Sequence, residues 1–71
     1  MQLKKAGELR RNDRIRYLGN DLIVTRAETF PGDREDGPTT YVEAVDLAGF
    51  PHSLSCLDPD IDIVVVEAGD A

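Results

Sequence analysis

Few of the 71 residues could do chemistry, and their spacing says which chemistries are open to them. Asp58, Asp60 and Asp62 form an Asp-Pro-Asp-Ile-Asp run that opens like a calcium loop. Such a loop needs glycine at its sixth position, glutamate at its twelfth and a helix on each side. Ile63 and Gly69 stand at those two positions, so the run reads as three solvated acids at a turn and strand start. His52 and Cys56 are the sole histidine and the sole cysteine. A structural zinc site takes about four such ligands, so Cys56 reads as a small core residue instead. Nucleophilic catalysis by Ser53, Ser55 or Cys56 would need an oriented base, and strand alternation sends His52 and Ser53 to opposite faces. No glycine-rich phosphate loop joins a strand to a helix. The residues therefore predict no catalytic group, no metal and no cofactor, and a chain this small rarely forms the deep pocket that an enzyme needs.

Charge offers a second kind of chemistry. Residues 1–16 hold Lys4, Lys5, Arg10, Arg11, Arg14 and Arg16 against Glu8 and Asp13, a net of +4. Residues 17–71 hold Arg26 and Arg34 against twelve acids, and the whole chain carries −6. An acidic chain is a poor general binder of nucleic acid, because phosphate contacts need net local cations. The six basic residues of the arm are nonetheless the candidate nucleic-acid contacts, as an alternative function. The plainer alternative lays the arm against the acidic body, which it neutralises. Tyr17 could serve the arm as a stacking platform, but alternation turns it inward with Ile15 and leaves Arg14 and Arg16 on a solvated face. A further alternative is an acidic decoy, in which Asp33–Asp36 and Asp58–Asp62 imitate a phosphate backbone.

The elements that must position these groups are strands. The most legible local structure is a β-hairpin over Asp13–Thr29, in which runs 14–17 and 22–25 flank a reversal at Gly19-Asn20. Ile15, Tyr17, Leu22 and Val24 form its core side. Phe30–Pro38 is a loop by composition, long for a hairpin connection, and long loops more often carry function. Phe30, Asp33, Arg34, Glu35 and Asp36 are accordingly the candidate partner-binding residues. The third strand is Thr39–Leu47, with Tyr41, Val45 and Leu47 on one face and Val42 and Ala44 on the other. A reversal at Asp46–Phe50 leads to a fourth strand, Ser53–Leu57, with Leu54 and Cys56 inward. Leu57–Asp60 is a turn, and Ile61–Glu67 is the fifth strand, with Ile61, Ile63 and Val65 inward. Residues 1–12 are expected as an irregular arm whose Leu3, Ala6 and Leu9 cover an open end, and residues 68–71 as a disordered tail.

Length allows one domain with a thin stability margin. A single cysteine excludes an intrachain disulfide and argues for the reducing cytosol. Ile63–Val66 is the longest apolar run, far short of the roughly 20 residues of a membrane span, and no secretory signal opens the chain. Arginine outnumbers lysine six to two, which fits a stand-alone protein of a GC-rich bacterium or its phage.

Sequential antiparallel pairing of five short strands predicts an all-β chain: a small five-stranded antiparallel barrel over residues 13–67. Here the chain resembles the SH3-like small barrels, including the KOW and Tudor-like groups. The resemblance rests on Arg11-Asn12-Asp13-Arg14-Ile15 before the first strand, Gly19, Asp46 with Gly49, and the Leu57-Asp58-Pro59-Asp60 turn. It covers about residues 9–67. Asn12 stands where such barrels usually have glycine, and the aromatic cage of some Tudor-like domains has no counterpart, so no residue role carries over. The functional expectation is a non-enzymatic module that binds an unidentified protein partner, with self-association through edge strands as a further possibility.

Overall fold

The computed structural model describes residues 2–32, 35 and 37–69, and for Ser55 and Cys56 the backbone alone. The expected inward place of Cys56, and the roles assigned to Asp33, Arg34 and Asp36, lie outside the described residues. Six strands form one antiparallel sheet: β1 (Gln2–Lys5), β2 (Arg14–Tyr17), β3 (Asn20–Phe30), β4 (Thr39–Asp46), β5 (Pro51–Leu57) and β6 (Asp62–Glu67). Their order across the sheet is β1-β6-β2-β3-β4-β5. The all-β expectation holds at this level, but the five-stranded barrel does not. The sheet has a sixth strand and does not close, since β1 and β5 are unpaired edges.

The extra strand comes from the supposed irregular arm. Gln2–Lys5 pairs with β6 in the register Gln2↔Val65 to Lys5↔Asp62. A short 3₁₀ turn, Ala6–Glu8, then carries the chain over the core. Ala6 N–H donates to Ile61 O at 2.9 Å and Gly7 N–H to Pro59 O at 3.0 Å. Ala6 and Leu9 are buried, as expected of a cap, whereas Leu3 is 64 % exposed because strand alternation turns it away from Lys4. Among the described residues, no helix is long and apolar enough to cross a membrane.

Alternation sets the core. Ile15, Leu22, Val24, Val42, Ala44, Leu57, Ile63 and Val65 form one buried cluster with Ala6 and Leu9, and Tyr17, Ala27 and Leu54 pack against it. Burying a side chain such as Ile15 fully is worth about 2–3 kcal/mol. One inward assignment differs from expectation. Ile61 is 43 % exposed because it belongs to the Asp58–Ile61 turn, whose Ile61 N–H donates to Asp58 O. On β4 the expected division into two faces holds: Val42 and Ala44 are buried together with Thr40, and Tyr41 and Leu47 are exposed. The reason is register: Val42 and Ala44 lie opposite Ala27 and Val24 on one side and Leu54 and His52 on the other, all over the core.

The β2–β3 reversal is shifted by one residue. Tyr17 pairs with Asn20, so Leu18 and Gly19 form the turn, with φ of 50° and 81°. Positive φ at both central residues gives the twist that a two-residue hairpin needs. At the other end of β2, Asn12 adopts φ of 75°, the conformation that a glycine would otherwise supply there.

Candidate functional site

One element places the candidate site: a β-bulge at Thr25. Val24 pairs with Ala44 and Arg26 with Glu43, so Thr25 is an extra residue on β3. Its hydroxyl donates to Glu43 O at 3.0 Å and holds the bulge. Without it, Arg26, Glu28 and Phe30 would share the parity of Leu22 and Val24 and point into the core. The bulge reverses the phase. Ala27 and Thr29 move to the core side, half-buried and exposed respectively, where the Thr29 and Thr40 hydroxyls meet at 2.8 Å, and Arg26, Glu28 and Phe30 take the other face.

The outward residues of β3 and β4 then build a cleft of about 550 Å³ lined by Arg26, Glu28, Phe30, Gly32, Gly37, Thr39, Tyr41 and Glu43. Phe30 and Tyr41 stand edge to face, with ring centroids 5.4 Å apart and an interplanar angle of 80°. They are 46 % and 43 % exposed. Such a pair is worth about 0.5–1.5 kcal/mol beyond its buried area, so it is held in a fixed shape while its outer surfaces face solvent. Beside it, Arg26 Nε donates to Glu28 Oε1 at 2.8 Å and Nη2 donates to the same oxygen. The Glu28 carboxylate, with Glu43 more distant, raises the guanidinium pKa above its ordinary value. At the distal end Gly32 and Gly37 both have positive φ, and a Cβ on Gly32 would lie 1.7 Å from Gly37 O. Only glycine allows the two arms of the loop to approach so closely there.

Phe30 is thus the last residue of β3, paired with Thr39, rather than the first of a loop. Of the loop residues expected to bind a partner, Phe30 belongs to the cleft; Glu35 is exposed and does not line it. The expectation missed Tyr41, Arg26 and Glu28. A signal was present: two charged residues in the phase of Leu22 and Val24 cannot be buried, so the strand must slip by one residue after Val24.

The basic arm is placed differently. Lys4 Nζ lies 3.1 Å from Asp13, Lys5 Nζ 2.9 Å from Asp62 and Arg16 Nε 3.1 Å from Asp21. The Asp62 contact raises the Lys5 pKa. Arg14 lies opposite Glu67, and its Nε is buried without a hydrogen-bond partner among the described residues. Arg10 and Arg11 remain exposed on the turn before Asp13.

Asp13 is the most deeply buried carboxylate described, 1 % exposed. It accepts hydrogen bonds from Arg10 N–H at 2.8 Å, Gly69 N–H at 2.8 Å and Lys4 Nζ at 3.1 Å. Burial alone would raise its pKa. The two backbone donors and the lysine outweigh burial and hold the carboxyl below its ordinary value. Gly69, expected within the tail, is thus tied to Asp13, and residues 70–71 lie outside the described residues.

The remaining chemistry-bearing residues hold turns together. Asp58 Oδ1 accepts from Asp60 N–H at 2.9 Å. Asp46 Oδ1 accepts from Ala48 and Phe50 N–H at 2.9 and 3.0 Å, and its Oδ2 lies 3.0 Å from His52 Nε2. The His52 ring first, then these backbone donors, hold the Asp46 carboxyl below its usual range. Among the described residues, no three His, Cys, Asp or Glu side chains converge as a metal cluster. In comparisons with known proteins, no family model matches the chain and no curated protein matches it in sequence.

Proposed function

We propose that the chain is a non-enzymatic binding module acting by protein–protein contact, and that the cleft on the outer face of β3 and β4 receives the partner. The observation that carries this reading is the exposed Phe30–Tyr41 pair, fixed edge to face in an open cleft. Rigid aromatic anchors rimmed by charged residues are the usual composition of an interface hot spot. Charge distribution supports this reading over nucleic-acid binding by the arm. Three of the six basic residues face carboxylates and Arg14 is half-buried, which leaves Arg10 and Arg11 as the exposed pair without a carboxylate partner among the described residues. The acidic-decoy reading has less behind it, because Asp58 and Asp62 are engaged by their own turn and by Lys5. Within the same proposal we keep the likeness to SH3-like small barrels, on the strength of the Asn12 turn, the Asp46–Gly49 reversal and the Asp58–Pro59 turn.

The test is affinity capture from a native lysate with the wild-type chain, Phe30→Ala and Tyr41→Ala as parallel baits, followed by mass spectrometry. A hot-spot aromatic costs about 2 kcal/mol or more on truncation, roughly a thirtyfold loss of affinity. The expected result is a captured protein that both variants lose while still melting cooperatively as folded chains. A partner held equally by all three baits overturns the assignment of the cleft.

A further inference from the structure

We propose that the cleft selects a guanidinium: an arginine side chain of the partner, stacked on the Phe30–Tyr41 pair with its charge met by the Glu43 carboxylate. This rests on the cleft being the partner's site and adds the chemistry that the site recognises.

Register exposes an unmatched charge. Arg26 lies directly opposite Glu43, yet its Nε and Nη2 both donate to Glu28 Oε1, two residues along its own strand. Arg26 and Glu28 therefore neutralise each other. The main-chain oxygen of Glu43 accepts from Thr25 at the bulge, but its carboxylate has no hydrogen bond or ion pair among the described residues. The described lining thus carries one cation against two carboxylates, on a chain of net charge −6. A cation balances that excess, whereas an anion would meet the Glu43 charge directly. Arg26 cannot serve, because Glu28 already holds its guanidinium.

The aromatic pair decides which cation. Tyr41 and Glu43 stand two residues apart on β4 and both line the cleft, so about 7 Å separates them along the strand. In an edge-to-face pair, the ring that presents its edge keeps both of its own faces clear of the other, and both rings here are exposed. A guanidinium is planar and weakly hydrated, so it can lie on a ring face within about 6 Å of the centroid while its edge donates to a carboxylate. A lysine ammonium is compact and strongly hydrated, and gains less from the ring.

The test is a titration of the isotope-labelled full chain with Nα-acetyl-arginine N-methylamide, followed by the amide and aromatic NMR signals. A range of about 1 to about 50 mM covers the affinity of a single side chain. The expected result is saturable shifts at residues 26–30 and 39–43, absent with the citrulline analogue, a neutral isostere, and weaker with the lysine analogue. Glu43→Gln should weaken binding of the arginine probe about fivefold or more, and Glu67→Gln, which removes the same charge from β6, should leave it within about twofold. Equal shifts from the citrulline probe, a lysine probe that binds as tightly, no shifts at all, or Glu43→Gln no weaker than Glu67→Gln overturns the proposal. Cleft signals that move with the chain's own concentration would make a second copy the occupant and overturn it too. Glu43→Gln as a further bait in the lysate capture separates the guanidinium from the cleft itself. A partner lost by Phe30→Ala and Tyr41→Ala but held in full by Glu43→Gln overturns the guanidinium alone; one held by every bait overturns the cleft.

Discussion

Replacing Asp13 by asparagine should be among the most damaging isosteric changes available to this chain. The carboxylate is buried and accepts three hydrogen bonds, one from a lysine ammonium and two from backbone N–H groups. Hydrogen bonds to a charged group are each worth about 1.5–3 kcal/mol, and asparagine keeps one acceptor oxygen while turning an NH₂ toward the remaining donors. We expect a loss of about 3 kcal/mol. At about 0.05–0.15 kcal/mol per residue, a domain of this length has roughly 4–11 kcal/mol in total, so the loss is about a quarter of it or more. The melting temperature should fall by about 12–24 °C. Urea titration followed by far-UV circular dichroism suits a protein that has no tryptophan. The dependence on pH isolates the group. Because the folded carboxyl titrates below the unfolded one, near pH 3.9, its stabilisation is complete above that value and is lost as pH falls through the folded pKa. The gap between wild type and Asp13→Asn should therefore be constant from about pH 7 to about pH 5 and shrink below about pH 4. A gap under about 0.5 kcal/mol at neutral pH, or one that does not change on acidification, would refute this account of Asp13.

Two further outcomes follow from the geometry. A Cβ on Gly69 would lie 2.5 Å from Asn12 C and 2.7 Å from Arg11 O, so Gly69→Ala should free the Gly69 N–H from Asp13 and cost about 1–3 kcal/mol; faster amide exchange at Gly69, with the β3–β4 amides unaffected, checks it. Deleting Thr25 should swing Arg26, Glu28 and Phe30 toward the core and cost more than about 4 kcal/mol, whereas Thr25→Ala, which keeps the extra residue, should cost about 1 kcal/mol. Thermal melts of the two variants separate them.

Much of the strand pattern was legible because it rests on local periodicity. Ile15, Leu22, Val24, Ile63 and Val65 alternate as half-buried strands must, and they are buried. The reversal expected at Asp46–Phe50 is present, and Gly49 within it has φ of 90°. The arm was misread because its four-residue strand has little signal of its own: Gln2–Lys5 becomes a strand by pairing with β6, a contact set by tertiary closure. The candidate cleft was half legible. Phe30 could be picked out, but the face of Tyr41, Val45 and Leu47 could not be told from that of Val42 and Ala44, since an aromatic in an apolar strand fits either until the register is known. The bulge was the deciding unknown: one added residue exchanges the inside and outside of everything that follows it.

The hydrogen bond from Gly69 to Asp13 spans 56 residues of chain. It belongs to the same closure as the pairing of β6 with β2 and β1, whereas β2 to β5 form a run of hairpins between neighbours in sequence. Short loops close first and long ones late, so folding should proceed from the hairpin run outward, with β6 and β1 docking last. Unfolding reverses that order. Asp13, which looks like a static brace in the native sheet, is then a kinetic latch: substitutions there should accelerate unfolding while leaving the rate of folding almost untouched.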